Sequence, residues 1–149
     1  MHLANVWSTL PEKWGMTWLL VMPYGLFLNS CSTKDQALQQ YFVRGEELYA
    51  KHCSNCHQMD GKGLGLLYPP VDKSDFMDSD FAQVICLMEY GKRGALVVNG
   101  KSFNQPMPGI PSLTDQEIAQ IATYLYNNWD RQKGLIDENQ VTGVLKQCR

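Results

Sequence analysis

Residues 53–57 read Cys-Ser-Asn-Cys-His. Two thiols one helical turn apart, with an imidazole directly after the second, are compatible with three chemistries. A redox-active dithiol needs a strand–helix–strand setting around the pair, and no such alternation is visible along this chain. A structural zinc needs four ligands, typically from two such pairs. Cys53, Cys56 and His57 supply three, no second cluster follows, and adjacent Cys56 and His57 are awkward for one tetrahedral ion. The third chemistry is covalent haem attachment, in which each thiol adds to one vinyl group and the following histidine binds the iron. One turn between the thiols, with the next ring turned over the porphyrin plane, favours haem. Zinc and the dithiol stand as the lesser alternatives.

The elements that must position these residues are helical. The chain has 149 residues, 44% hydrophobic and 19% charged, enough for one domain with a single core. Its net charge of -2 shows no basic face, so nucleic acid is excluded as a partner. Residues 38–52 repeat Leu38, Phe42, Leu48 and Tyr49 at helical spacing. Gly45 lies inside that helix at a propensity cost of up to ~1 kcal/mol, which asks for a packing reason. Three glycines and two prolines make residues 60–70 a loop. A short turn and a helix from about Ser79 to Tyr90, ended by Gly91, come next. Residues 99–112, with prolines at 106, 108 and 111, read as another loop. Thr114 or Ser112 caps a further helix, and Glu117 completes a capping box with Thr114. Ile118, Ile121, Ala122 and Leu125 fall on its apolar face. Residues 135–148 suggest a short terminal helix, and no stretch alternates as a strand. The expected fold class is all-α, four to five short helices with long loops, which hints that something besides chain packs the middle.

The first thirty residues are a separate object. Lys13 precedes the apolar run 16–28, which is shorter than the ~20 residues a spanning helix needs. A positive flank, a short apolar run and a small residue before a cut form a secretory signal. Leu28 and Ser30 ahead of Cys31 resemble the lipobox of bacterial lipoproteins, in which the cysteine becomes the acylated first residue. That resemblance implies a removed signal at 1–30, a lipid-anchored polar tether at 31–37, and a domain at 38–149 with a C-terminal extension from about 130. It also implies export to the periplasmic side of the cell envelope. An uncleaved membrane anchor is the alternative.

From about Leu38 to Trp129 the chain resembles a class I, monohaem cytochrome c. Gly45, Tyr49, the Cys53–His57 motif, the Tyr68-Pro69-Pro70 run, a methionine within a loop, and the helix at 113–129 carry the likeness. The resemblance implies a cytochrome c-like fold around one haem c held by Cys53 and Cys56, with His57 an axial ligand through Nε2. A loop proline carbonyl, Pro69 or failing that Pro70, would hold the His57 Nδ1 proton. The distal ligand would be Met107, in the loop before the C-terminal helix. Met77 is a weaker candidate, Met88 has core spacing, and His52 is expected to face solvent. Gly45 and Tyr49 would cross Ile121 and Tyr124. Phe76, Phe81, Leu87, Phe103 and Trp129 are candidate cavity walls or ordinary core. Cys86 and Cys148 are left as a disulfide pair or two independent buried thiols.

The activity implied is single-electron transfer by a lipid-anchored cytochrome, not itself an enzyme. It would be a free carrier or a subunit of a respiratory dehydrogenase, oxidase or reductase, with redox proteins as donor and acceptor. A haem-based gas or redox sensor, or a peroxidase-like enzyme, is the alternative, and both need an open sixth position on the iron.

Overall fold

The computed structural model describes residues 33–148. The expected signal at 1–30 and Cys31 lie outside the described residues. The first helix, α1, is Thr33–His52 and takes in residues 33–37 of the expected tether. That polar stretch has no Gly or Pro to interrupt it, and Asp35 in the first turn suits the positive end of the helix dipole. A single turn, α2, Ser54–His57, follows. Where one helix from about Ser79 was expected there are two, α3 at Asp75–Ser79 and α4 at Phe81–Tyr90. Asp80 divides them because its carboxylate accepts the Gln83 amide at 2.9 Å and starts a new helix.

The segment 99–112, read as a plain loop, supplies one strand to each of two small antiparallel ribbons. β1, Gly91–Lys92, pairs with β4, Met107–Pro108. β2, Leu96–Val98, pairs with β3, Lys101–Phe103. Asn99 and Gly100, at φ 51° and 71°, form the two-residue turn that a right-twisted hairpin prefers. The hairpin tip is tied to the start of α3: Asn99 N–H donates to Asp75 Oδ1 at 2.7 Å, and Asp75 N–H donates to Asn99 Oδ1 at 3.0 Å.

α5, Asp115–Leu125, packs against α1 and carries the expected Thr114–Glu117 capping box. Gly45 lies at their crossing. A Cβ there would run into the Gln120 carbonyl and stand 2.9 Å from Tyr124 Cβ, so only glycine permits this approach. Tyr49 and Tyr124 meet with ring centroids 5.2 Å apart, and Ile121 is wholly buried.

The C-terminal extension is part of the core. Thr123 Oγ1 donates to the Ile136 carbonyl and accepts the Ile136 amide, both at 3.1 Å. Asn127 grips Gly134 in the same two-way manner, at 2.8 Å each. This return leads into α6, Glu138–Leu145, whose Val141 is fully buried. Thr142 donates to Asp115 at the head of α5. Beyond α6, Cys148 is disulfide-bonded to Cys86 on α4, with Cα atoms 5.6 Å apart. Among the described residues the architecture is mostly helical, six helices with long loops. Among the described residues no helix is long and apolar enough to cross a membrane.

Candidate functional site

The end of α1 and the single turn of α2 place both thiols. The Cys53 amide donates to Tyr49 O at 2.9 Å, and the Cys56 and His57 amides donate to Cys53 O at 3.1 and 3.0 Å. Gln58, at φ 61°, breaks the helix. Tyr49 Oη donates to the Gln58 carbonyl at 2.7 Å and so holds the exit of the motif against α1. Burial raises the Tyr49 pKa, which keeps this hydroxyl a donor.

The loop then doubles back. Gly63 N–H donates to His57 O at 3.0 Å, and Val71 and Asp72 donate to Gly61 O at 2.8 and 2.9 Å. This closure brings the Pro69 carbonyl 2.9 Å from His57 Nδ1. A carbonyl oxygen only accepts, so the proton sits on Nδ1 and the Nε2 lone pair is free to bind. Burial lowers the His57 pKa, outweighing the Pro69 hydrogen bond, which acts the other way. The imidazole is therefore held neutral, as a metal ligand must be.

Cys53 and Cys56 are free thiols. Burial, with a smaller effect from neighbouring Cys56, pushes Cys53 up to about 12. A thiol kept protonated at neutral pH is a poor exchange nucleophile, which weighs against the dithiol reading. Among the described residues no group of three or more His, Cys, Asp or Glu side chains is arranged to hold a metal ion.

Two adjoining cavities occupy the middle of the domain, of about 590 and 890 Å³ including their openings to solvent. Such volumes suit one large ligand. Cys53, His57, Pro69, Leu87, Met88 and Met107 border both. The smaller cavity continues along Phe76, Met77, Val84 and Val98, and the larger along Cys56, Tyr68, Phe103 and Gln105. Two thiols, an imidazole with a free Nε2, a thioether and mainly apolar walls fit a covalently held haem. Cys53 and Cys56 would bind its vinyl carbons, and His57 and Met107 would face its iron.

Several expectations change in detail. Phe76, Leu87 and Phe103 line the cavities, but Phe81 and Trp129 do not. Phe81 packs edge-on against Tyr126 with ring centroids 5.3 Å apart, beneath the Lys133 ammonium, and Trp129 packs edge-on against Tyr49 and Tyr124. Met88 borders the same space as Met107. It does so from α4, whose core face is also the cavity wall. His52 borders the larger cavity because the last turn of α1 runs directly into the motif. Sequence reasoning missed Lys92, Leu96, Val98 and Gln105 as cavity-lining residues. The signal for part of this set was Asn99-Gly100 directly after the apolar run Leu96–Val98, which marks a hairpin and so a second wall.

Comparison with known proteins agrees with this geometry. Residues 42–129 match the Cytochrome c family. The chain is similar to the cytochrome c subunit of alcohol dehydrogenase (quinone) from Gluconobacter oxydans (strain 621H), 28% identical over 88 residues. The matched segment is 57% of this chain and 18% of the length of that relative.

Proposed function

The chain belongs to the cytochrome c family, and from that premise we propose that it is a single-electron carrier. Cys53 and Cys56 would hold one haem c covalently, and His57 and Met107 would bind its iron. The observation that carries the reading is the Pro69–His57 hydrogen bond of 2.9 Å, which leaves Nε2 unprotonated beside a cavity that Met107 also borders. When bound, the haem supplies a one-electron couple, whose potential a methionine ligand raises.

The residues around it hold and orient. Pro69 fixes the histidine tautomer and ring angle, a support that typically matters 10- to 100-fold in metal affinity or activity. Pro106 and Pro108 flank Met107, and the pairing of β4 with β1 restricts that segment further, so its thioether is aimed. Phe76, Val84 and Val98 keep water from the interior face. With His57 and Met107 both committed, no position stays open for substrate. The protein passes electrons without being the catalyst.

The relative is a subunit of a quinone alcohol dehydrogenase, which supports a redox enzyme as partner, whether this chain is a subunit or diffuses between enzymes. Cys31 is the proposed lipid anchor, on the periplasmic side of an envelope membrane. It stands two residues before α1, and α1, at 20 residues, is about 30 Å long, with the haem motif at its far end.

The test is the visible spectrum of the matured protein and of Met107→Ala. The wild type is expected to show the weak red-edge band of sulfur-to-iron ligation and to bind carbon monoxide poorly. The variant should lose the band and bind the gas. A wild type without the band that binds carbon monoxide readily would favour the sensor or peroxidase-like alternative.

A further inference from the structure

In the ribbon formed by β1 and β4, Lys92 lies directly opposite Met107. Opposed residues of an antiparallel pair project from the same face, with Cβ atoms about 4.5–5.5 Å apart. Met107 borders both cavities and Lys92 borders the larger. A ribbon two residues deep therefore presents a thioether and an ammonium to one space. Among the described residues lining the two cavities Lys92 carries the only permanent charge, and none of them is Asp or Glu. Its Nζ donates to the Arg93 carbonyl at 3.3 Å, and the three ion pairs among the described residues do not include it. The charge is held in place and not neutralised by a carboxylate among the described residues.

We propose that Lys92 sets the reduction potential of the group that Met107 binds. Reduction adds one electron, taken from a donor protein or a chemical titrant, and leaves the centre one unit more negative with no bond made or broken. An adjacent ammonium stabilises that form, so Lys92 raises the potential. This deepens the carrier reading and rests on it. A unit charge taken about 10 Å from the centre, at an effective dielectric constant between about 20 and that of water, changes the reduced-to-oxidised ratio about two- to sixteenfold. For one electron that is a shift of about 18 to 71 mV. The sequence alone hides this residue, because only strand register makes position 92 the neighbour of position 107.

The experiment is an equilibrium redox titration of the matured wild type, Lys92→Gln, Lys92→Arg and Lys92→Glu, with no partner protein present. The red-edge band is recorded for each. Lys92→Gln is expected to lower the potential by the shift given, Lys92→Glu by about twice as much, and Lys92→Arg to stay near wild type, all with the band retained. Equal potentials in wild type and Lys92→Gln, with the band intact in both, overturn the proposal and leave the carrier reading standing. An equal fall in Lys92→Arg and Lys92→Gln also overturns it, because packing and not charge would then be the cause. Absence of the band from the wild type removes the carrier reading itself, and with it the role given to Lys92.

Discussion

Replacing Gly45 with alanine should destabilise the protein although alanine is the better helix former. In an isolated helix the change would be favourable by about 1 kcal/mol. Here the new methyl meets the Gln120 carbonyl and Tyr124 Cβ, atoms of a rigid neighbouring helix and not the far end of a flexible side chain. Either α1 and α5 separate or the α5 backbone deforms, an overpacking cost of about 1–3 kcal/mol. Separation also weakens the Tyr49–Tyr124 contact at 5.2 Å, the kind of pair worth about 0.5–1.5 kcal/mol. With the propensity gain set against these, the net loss is about 1–3 kcal/mol. Gly143 is the matched control. It lies in α6 with no atom within 4 Å of an added Cβ, so Gly143→Ala should stabilise by about 0.5–1 kcal/mol. Urea unfolding followed by far-ultraviolet circular dichroism measures both. A Gly45→Ala protein as stable as wild type or more so would refute the close-approach argument, whatever Gly143→Ala does.

Two further outcomes are expected. Removing the Cys86–Cys148 bond, which spans 62 positions, with a Cys86→Ser/Cys148→Ser pair should lower unfolding stability by about 2–4 kcal/mol. Wild type under strong reductant should then match the variant in the same denaturant titration. The Glu117 carboxyl is held below its ordinary value chiefly by the Thr114 amide, with the Thr114 hydroxyl adding to it. A depressed folded pKa means that the stabilisation is present above the ordinary carboxylate range and lost as pH falls through the lowered value. Glu117→Gln should therefore flatten that part of the acid limb, read from thermal unfolding at a series of pH values. An unchanged acid limb would remove Glu117 from the account.

How far the site was legible depends on whether its parts lie close along the chain. The Cys53–His57 motif was fully readable, since one helical turn fixes the relation of its side chains wherever the turn is placed. The Thr114–Glu117 box was readable for the same reason, and the equivalent Asp137–Gln140 box was available but not used. The terminal helix was expected, while its role was not. Ile136 and Val141 enter the core only because Thr123 and Asn127 capture the returning chain. The hairpin at 96–103 was missed, its second strand being read as loop, because its strands are three residues each, too short for alternation to register. Its Asn-Gly turn was the stronger signal.

The amino-acid order by itself determined the local chemistry: two thiols and an imidazole on one turn, a methionine between prolines, a glycine inside a helix. Each follows from bond geometry over a few residues. Only tertiary structure decided which groups share a space. The Pro69 carbonyl reaches His57 because hydrogen bonds to Gly61 and His57 close the intervening loop. Phe81 and Trp129 were drawn away from the cavity by aromatic partners distant in sequence. Lys92 stands opposite Met107 because one strand pairing chose that register. Contacts across long stretches of chain depend on the whole packing, which local preference does not encode.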